Sequence, residues 1–419
     1  MRGIVGIDVG GTFTDLYYSG PSGTSVIKVP STPDDPSRAP IDALLRTITQ
    51  LEGCPIPASV LESEILPQRV PGYLPHHLDQ LLATGDVVWA GIEPIFAQDG
   101  RIALYLAERE PLLARSAAGD APKSALHEAL RELFARRGAL FFAEIARALG
   151  SFPGDIATAL WDLVWSGELT NDSFEPLRSL MRKEERRGRA PRPERRGPRG
   201  SEGRWSLRRS RWDRDPSDTE RRTATARAML ERYGVVLREA AGAEGLPGGF
   251  GYVYDVFRAM EEQGRVRRGY FVAGRGATQF ALPGAEERLR QRRTDTEPTT
   301  LVIAATDPAN PWGTLLPWPE SQGRSAQRAP GARVVLHDGR LLAWLSRAGH
   351  DLITFLPREE PQASEAVSAL ARALAGLRGH KQRVFLATID GIPAPESPIG
   401  PVLASHGFVT RQGALVANA

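Results

Sequence analysis

Apolar residues recur at helical spacing through most of the chain, and each helical stretch leads into short apolar strands. In the first copy of this pattern, Leu44, Leu45 and Ile48 fall on one face of a predicted helix. Gly85 ends the third predicted helix, and residues 98–100 carry an Asp-Gly turn signal between two strands. The pattern predicts helices over 41–51, 57–66 and 75–83, and strands over 87–89 and 102–106.

The same order of elements recurs twice more along the chain. The phrases TGDVVWAG, SGELTND and QGRVRRGYFVAG each follow a third helix, and a glycine that can adopt φ > 0 turns the chain into a hairpin. Three helices and a β-hairpin form the plan of the winged helix, which binds DNA in some proteins and other proteins elsewhere. The later copies predict helices over 124–137, 142–149, 153–165, 219–233, 236–243 and 250–263, and strands over 168–170, 265–272 and 278–282.

The hairpin of the third copy favours nucleic-acid binding. Its sequence alternates along a strand, so Arg265 and Arg267, and also Arg268, can lie on the outer face beside Tyr270. Arg275 falls at the predicted tip. Cations next to an aromatic ring on a protruding ribbon suit phosphate contacts combined with stacking on a base or sugar. The alternative is a charged hairpin that is merely solvated.

The C-terminal part is rich in predicted strands and contains one long predicted helix. This composition indicates a small barrel or an α+β sheet. The predicted strands are 299–305, 333–336, 341–345, 352–355 and 383–388, and the helix is 363–377.

The predicted fold class is therefore α+β, with tandem winged helices before a small, barrel-like C-terminal domain. A short β fragment precedes the first winged helix. The predicted boundaries are 1–40 for this fragment, 41–115, 120–181 and 205–290 for the winged helices, 182–204 for a linker, and 298–419 for the C-terminal domain.

The linker concentrates the positive charge. Only 4 of the 53 basic residues are lysine, a bias that a GC-rich genome or phosphate recognition could produce. Residues 182–199 hold nine basic and three acidic side chains, a net +6, against +3 for the whole chain. A segment rich in Pro, Gly and Arg cannot bury enough apolar surface to fold by itself. It is either a solvated tether or a tether that also grips a nucleic-acid backbone.

Composition excludes several other classes. The single cysteine rules out an internal disulfide, and the seven histidines show no HExxH spacing, so we expect no metal site and no cofactor. No apolar run reaches the roughly 18 to 20 residues that span a bilayer, and the N-terminus lacks the pattern of a signal peptide. We therefore expect a cytoplasmic protein of about three domains without a membrane partner.

Longer phrases bring in a family resemblance. IPASVLESEILPQRVPGY, LLATGDVVWAG, RGALFFAEIARAL, ALWDLVWSGELTND, LERYGVVLREAAGAEGLPGGF and AATDPANPWGTLLPWP resemble the C-terminal region of Lhr (large helicase-related) DNA repair proteins, from about residue 48 to the end. The resemblance implies an array of winged helices and a β-barrel that binds DNA, single-stranded or duplex, and assembles with a helicase core or with further copies. The sequence has neither GxxxxGK[ST] nor a DExH box, so we expect the ATP-driven motor to be absent.

The family array in turn resembles AlkZ-type DNA glycosylases of the helix-turn-helix class. The alternative function is therefore excision of damaged bases or of uracil, which needs a carboxylate or an amide beside an extruded base. Three residues near the predicted barrel are candidates: Asp307, Asp390 and Gln279. Each also has a structural explanation, because Asp307 and Asp390 lie in turn sequences and Gln279 lies in a strand of the third wing.

The first 46 residues have a different resemblance. GIVGIDVGGTFTDLYY and KVPSTPDDP are similar to the start of the hydantoinase A/5-oxoprolinase family, whose DVGGTFTD forms a phosphate turn of an actin-like ATPase. The resemblance places Gly10, Gly11 and Thr12 against phosphate, with Asp8 near a metal. A fragment of such a hydrolase is a third possible function. The opposing lobe of that site has no counterpart in the remaining sequence, so we expect no tight ATP binding.

Overall fold

The computed structural model groups the chain into two compact units, residues 40–283 and residues 1–39 with 284–419. Before residue 31, only the backbone of three strands is described. The described ranges are 4–9, 13–20, 23–30, 38–114, 121–182, 197–208, 214–276, 278–292, 298–321, 325–377 and 384–417.

The N-terminal strands form an antiparallel meander, β1 (Ile4–Val9), β2 (Phe13–Gly20) and β3 (Gly23–Pro30), in that order. Asp8 of the predicted phosphate turn lies in β1, in register with Asp15 of β2. Gly10, Gly11 and Thr12 lie outside the described residues. The phosphate turn and the actin-like fold therefore stay predictions.

The first winged helix follows the predicted order of elements. Leu44 and Ile48 are fully buried, as the predicted helical face requires, and Gly85 ends the third helix with φ 75°. The three strands form one sheet in the order β4-β6-β5. The elements are α1 (Arg38–Leu51), β4 (Ile56–Pro57), α2 (Ala58–Val60), a π-helical turn (Leu61–Ile65), α3 (Leu66–Arg69), α4 (Pro75–Thr84), β5 (Val87–Phe96), β6 (Asp99–Leu106) and α5 (Glu110–Leu113).

The second winged helix extends further along the chain than its sequence predicts. Its sheet has the order β7-β9-β8, and the central strand comes after the basic segment. Its elements are α6 (Ala125–Arg137), β7 (Leu140–Phe141), α7 (Phe142–Leu149), α8 (Pro153–Trp165), β8 (Leu169–Asn171), α9 (Glu175–Met181) and β9 (Arg204–Leu207).

The boundaries predicted at 181 and 205 are therefore wrong, because the basic segment is an insertion between two strands of one winged helix. Trp205 in β9 is fully buried, and its ring lies edge-on to Trp161 at 5.7 Å. The indole of Trp161 donates to the carbonyl oxygen of Gly200 at 3.0 Å. Residues 197–204, predicted as linker, thus belong to the fold, while 183–196 lie outside the described residues.

The third winged helix has a shorter paired hairpin than predicted. Its sheet has the order β10-β12-β11, and Phe280 of the central strand is fully buried. Pairing of the wing is limited to two residues on each strand. The elements are α10 (Asp218–Tyr233), β10 (Val235–Val236), α11 (Arg238–Ala243), α12 (Gly251–Glu262), β11 (Arg267–Arg268) and β12 (Phe280–Ala281).

The first and second winged helices pack tightly against each other. Arg178 of α9 contacts Glu62 at 2.7 Å and Asp79 at 2.6 Å, two carboxylates of the first winged helix. The indole of Trp89 donates to the carbonyl oxygen of Ser173 at 3.2 Å. Since all these side chains are at least partly buried, the array is a packed body rather than a string of separate domains.

The third winged helix is joined to the first by buried charges. The Arg232 side chain is 2% exposed, pairs with Glu244 and donates to the backbone oxygens of Gln50 and Glu52. The Glu52 carboxyl accepts from the N–H of Leu106 at 2.8 Å. Burial raises the pKa of Glu52 to about 7, although this N–H and nearby Arg109 act in the opposite direction.

The C-terminal unit is built on an open six-stranded sheet, so the barrel prediction is wrong. The order is β13-β14-β15-β16-β18-β19, and its end strands do not pair with each other. A separate three-stranded sheet has the order β17-β21-β20. The helices are α13 (Ala285–Arg292), α14 (Gln362–Gly376) and α15 (Gly400–Ser405), with a 3-10 turn (Ala394–Glu396). The strands are β13 (Thr300–Ala304), β14 (Arg333–His337), β15 (Arg340–Leu345), β16 (Asp351–Thr354), β17 (Phe385–Leu386), β18 (Thr388–Ile389), β19 (Ile392–Pro393), β20 (Phe408–Arg411) and β21 (Ala414–Ala417).

The core of this unit lies between α14 and the large sheet. Leu370 and Leu374 of α14 are fully buried in one cluster with Val335 and Leu352. The two faces of the sheet contribute to separate apolar clusters, because neighbouring positions on a strand point to opposite sides. Across the described ranges, no helix combines the length and apolar character needed to span a bilayer.

Candidate nucleic-acid interface

The wing of the third winged helix begins directly after α12. Gly264 has φ 68° and turns the chain, and the N–H of Arg265 closes the helix on the carbonyl oxygen of Met260 at 2.8 Å. Val266 is buried, whereas Arg265 and Arg267 on either side of it are exposed. The alternation read from the sequence therefore places these two arginines outward.

The other predicted wing residues differ in their surroundings. Arg268 is exposed and lies 3.2 Å from Glu261, and Tyr270 is 78% exposed. Arg275 turns back toward the helical body, where its guanidinium lies 3.4 Å from Glu239 and is 22% exposed. The wing thus presents Arg265, Arg267, Arg268 and Tyr270 to solvent. The Arg275 side chain is less exposed than these four.

Gln279 holds this wing together. Its Oε1 accepts from the N–H groups of Phe271 and Val272 at 2.9 and 2.8 Å. Its Nε2 donates to the carbonyl oxygens of Val272, Gly276 and Arg275 at 3.0, 3.0 and 3.4 Å. Because these bonds use the whole amide and the side chain is 1% exposed, Gln279 has a structural role and not the geometry of a catalytic amide.

In many winged-helix proteins the third helix enters the major groove of DNA. In the second and third winged helices of this chain, the corresponding helices are α8 and α12, and neither has a cationic face. On α8, the exposed charged side chains are Asp155 and Asp162. On α12, the exposed Arg258 lies between Asp255 and Glu262. Carboxylates on these faces would repel the phosphates of a nucleic acid, whereas the arginines of the third wing carry the opposite charge.

The first wing is used mainly for packing inside the array. A Cβ added to Gly91 in β5 would lie 2.3 Å from the carbonyl oxygen of Val164 in α8. The hydroxyl of Thr170 also donates to the carbonyl oxygen of Trp89 at 2.7 Å. The base of the first wing is therefore covered by the second winged helix, while the third wing carries the exposed arginines.

Asp307 and Asp390, the two candidate carboxylates for base excision, lie apart on the large sheet. Asp307 follows β13, and Asp390 follows β18, which runs in the opposite direction with three strands between. The two residues thus sit at opposite ends of the sheet, on strands roughly 19 Å apart at about 4.8 Å per strand.

Both carboxylates accept hydrogen bonds within the C-terminal unit. Asp307 is fully buried and accepts from the N–H of Ala309 at 2.7 Å. Asp390 has φ 51° and accepts from the N–H and hydroxyl of Thr354 at 2.7 and 2.6 Å. The contact of Asp307 is that of a turn residue, whereas Asp390 lies in the two-residue turn between β18 and β19 and its carboxylate reaches across to β16. Among the described residues, no group of three or more His, Cys, Asp or Glu side chains is placed to hold a metal ion.

One feature of the C-terminal unit was missed from the sequence. A cavity of about 400 Å³ is lined by Trp312, Phe355, Glu320 and Arg340, together with apolar neighbours. Its residues come from three separate segments of the chain, which no local pattern could have brought together. The only signal was PWGTLLPWP, in which two tryptophans occur in a proline-rich loop.

Comparison with known proteins agrees with the array. Residues 27–107 and 215–301 match two family models described as winged-helix domains of the large helicase-related protein, the third and the fourth. They cover the first winged helix from α1 to β6 and the whole third winged helix. Residues 125–207 between them have the element order of the third winged helix, with α9 inserted between the last two strands.

Two curated proteins are similar over most of the chain. The Lhr helicase/uracil glycosylase of Escherichia coli (strain K12) is 37% identical over 399 residues, which cover 88% of this chain and 26% of that protein. The Lhr helicase/probable uracil glycosylase of Mycolicibacterium smegmatis is 38% identical over 340 residues, covering 75% of this chain and 22% of that protein. The chain thus spans about a quarter of the length of these relatives. This chain therefore belongs to the large helicase-related (Lhr) family and carries a C-terminal region of it.

Proposed function

We propose that this chain is a DNA-binding region of an Lhr-type protein and that its third wing is the main point of contact. The observation that carries this proposal is the exposed group of Arg265, Arg267, Arg268 and Tyr270 on one short hairpin. Guanidinium groups bind phosphate through two parallel hydrogen bonds, and an exposed tyrosine ring offers a surface for stacking.

In this proposal the third wing positions the DNA backbone, and the basic insertion adds positive charge that attracts its phosphates. Residues 182–199 carry +6 and fall in the sequence between β8 and β9, two strands of the second winged helix. Such a segment attracts phosphates without reading sequence, because counterion release depends on charge alone. DNA bound in this way is recognised chiefly through its backbone, in single-stranded or duplex form.

Binding to a fluorescein-labelled oligonucleotide tests the proposal. Replacement of Arg265, Arg267 and Arg268 by Gln should raise the Kd about tenfold or more at moderate salt, since three phosphate contacts are lost. A matched control replaces three exposed arginines on helices of the first two winged helices: Arg46, Arg136 and Arg147. Equal losses in both variants would show that net charge, and not the wing, determines binding.

Base excision is a second candidate, favoured by the names of both relatives, which include uracil glycosylase activity. The purified chain should be incubated with a uracil-containing oligonucleotide and then treated with alkali, which cleaves at abasic sites. Strand cleavage above that of a thymine control would support this function, and its absence would leave DNA binding as the activity.

Helicase activity is also named for both relatives, and we do not assign it to these residues. The sequence lacks GxxxxGK[ST], whose backbone and lysine hold nucleotide phosphates in such motors. We propose instead that the array serves a helicase core or a second copy of the chain as a DNA-binding and assembly module. Mixing labelled DNA with the chain and measuring the mass of the complex tests for self-assembly.

A further inference from the structure

Two carboxylates of the helical body hold arginines of the third wing. The Nε of Arg268 in β11 donates to Glu261 near the end of α12 at 3.2 Å. Further along the wing, the guanidinium of Arg275 donates to Glu239 in α11 at 3.4 Å. Each of these arginines therefore has a carboxylate of its own chain in a position that a phosphate oxygen could take.

Both pairs are open to solvent. The side chains of Arg268 and Arg275 are 44% and 22% exposed, and those of Glu261 and Glu239 are 29% and 36% exposed. Ion pairs at such positions are weak, because water and salt screen the charges. An incoming phosphate can therefore displace either carboxylate.

The backbone at both arginines is fixed independently of these pairs. Arg268 is in register with Phe280 of β12, which is fully buried. The carbonyl oxygen of Arg275 accepts from the Nε2 of Gln279 at 3.4 Å. Exchange of a carboxylate for a phosphate thus needs only a side-chain rotation and no rearrangement of the wing.

Glu261 differs in its pairing from the next residue of α12. The side chain of Glu262 is 70% exposed and lies 3.7 Å from Arg258, one turn earlier on the same helix. Glu261 instead reaches Arg268, seven positions later and in the wing. The two carboxylates carry the same charge at adjacent positions, and Glu261 is the one paired with a wing arginine.

We propose that Glu261 and Glu239 are internal competitors of DNA, which occupy Arg268 and Arg275 until phosphates replace them and so lower the affinity of the third wing. This inference rests on the proposed function of that wing. Because each carboxylate belongs to the same chain as its arginine, it acts at a high effective concentration. A phosphate bound at Arg265 brings its neighbours on the strand equally close, so a DNA backbone can compete.

The competition has a consequence for the release of DNA. As each phosphate leaves, the carboxylate re-forms its pair with the arginine and hinders rebinding. The wing therefore holds a nucleic-acid backbone reversibly, and removal of a carboxylate should slow dissociation, where most affinity differences between related complexes arise.

The affinity of the whole chain for a fluorescein-labelled oligonucleotide at low salt tests the competition at Glu261. Glu261→Gln should lower the Kd about threefold to fivefold, since the phosphate no longer has to displace an anion. Glu262→Gln is the matched control, because it removes the same charge one residue away, and should lower the Kd by less than about twofold. In an Arg268→Gln background, Glu261→Gln should have no more effect than this control.

The second carboxylate gives an independent cycle. Glu239→Gln should lower the Kd about twofold to threefold, and this gain should vanish in an Arg275→Gln background. A chain with both Glu239→Gln and Glu261→Gln should combine the two gains, because the two pairs share no residue.

Several results would overturn the proposal. An unchanged or higher Kd in Glu261→Gln would mean that the carboxylate orients Arg268 and does not compete for it. Equal gains in Glu261→Gln and Glu262→Gln, or a gain that survives in Arg268→Gln, would mean that net charge alone is responsible.

If no oligonucleotide binds the wild-type chain, the proposed function fails, and a titration with inorganic phosphate at constant ionic strength tests the competition separately. The Nε–H resonance of Arg268, followed by NMR, should shift at about threefold lower phosphate concentration in Glu261→Gln than in the wild type or Glu262→Gln. No shift in any of the three chains, or equal half-saturation concentrations, would contradict the proposal.

Discussion

The backbone of Gly91 in the first wing lies directly against the carbonyl oxygen of Val164 in the second winged helix. A methyl group at Gly91 would stand 2.3 Å from that oxygen, far inside van der Waals contact. The same wing approaches the ring of Trp165 at Gly100, where a Cβ would lie 2.4 Å away. Because Gly91 and Gly100 have no side chains, the first wing can pack closely against α8 of the second winged helix.

Gly91→Ala should destabilise the array. The backbone atoms of Val164 cannot move aside as a flexible side chain could, so the strands must separate at a cost of about 1–3 kcal/mol. Chemical denaturation followed by tryptophan fluorescence measures this loss. Gly242→Ala in α11 is the control, because nothing lies within 4 Å of its added Cβ, and it should be neutral or slightly stabilising. Equal stability of the two variants would contradict the packing described.

The buried carboxyl of Glu52 should make stability depend on pH. Burial raises its pKa from 4.5 to about 7, so between these values the folded chain holds a proton that the unfolded chain has lost. Stability contributed by this group is therefore complete below about pH 4.5, falls as pH rises to about 7, and then levels off. The total is on the order of 3 kcal/mol.

Glu52→Gln should remove this dependence and raise the unfolding free energy at pH 8. Denaturant titrations at pH 5 and pH 8 measure the difference for each protein. Glu132→Gln is the control, since that side chain is 71% exposed and should leave the pH dependence unchanged. A wild-type chain that grew more stable from pH 5 to pH 7 while Glu52→Gln did the same would rule out this role.

Gln279→Ala should loosen the third wing without unfolding its body. The variant leaves the N–H groups of Phe271 and Val272 without their acceptor. We expect hydrogen exchange at these two amides to accelerate at least tenfold, and DNA affinity to fall severalfold because the arginines lose their fixed positions. Gln263→Ala, an exposed change just after α12, is the control. Unchanged exchange at both amides would show that the wing is held by other contacts.

Much of the helical fold could be predicted because each element is encoded locally. The helix predicted over 363–377 is observed as Gln362–Gly376, and that predicted over 219–233 as Asp218–Tyr233. Amphipathic spacing over several turns is a strong signal, and glycines at helix ends mark where it stops.

Long-range pairing could not be predicted in the same way. The strand containing Trp205 follows a polar, arginine-rich stretch, and its partners Leu140 and Asn171 lie more than 30 residues upstream. Closure of a barrel likewise requires that the end strands β13 and β19 pair with each other, and local sequence patterns contain no information about such pairing. A buried tryptophan after a run of charges was the one available hint.

The candidate site residues likewise differ in whether local sequence or the three-dimensional fold determines their roles. The exposure of Arg265 and Arg267 follows from strand alternation, which is local, whereas that of the consecutive Arg268 does not. Gln279, Asp307 and Asp390 are polar residues whose roles depend on their partners, and the structure shows each bound to nearby backbone. The cavity around Trp312 required the fold itself.

The dependence of DNA affinity on salt tests the central claim most directly. If the wing and the basic insertion together contact about six phosphates, a plot of log(1/Kd) against the logarithm of the salt concentration should have a slope on the order of −4 to −5. Replacing Arg265, Arg267 and Arg268 should reduce that slope by roughly 2 to 3 units and weaken all sequences equally. An unchanged slope in this variant, with normal folding, would contradict the assignment of the third wing as the DNA contact.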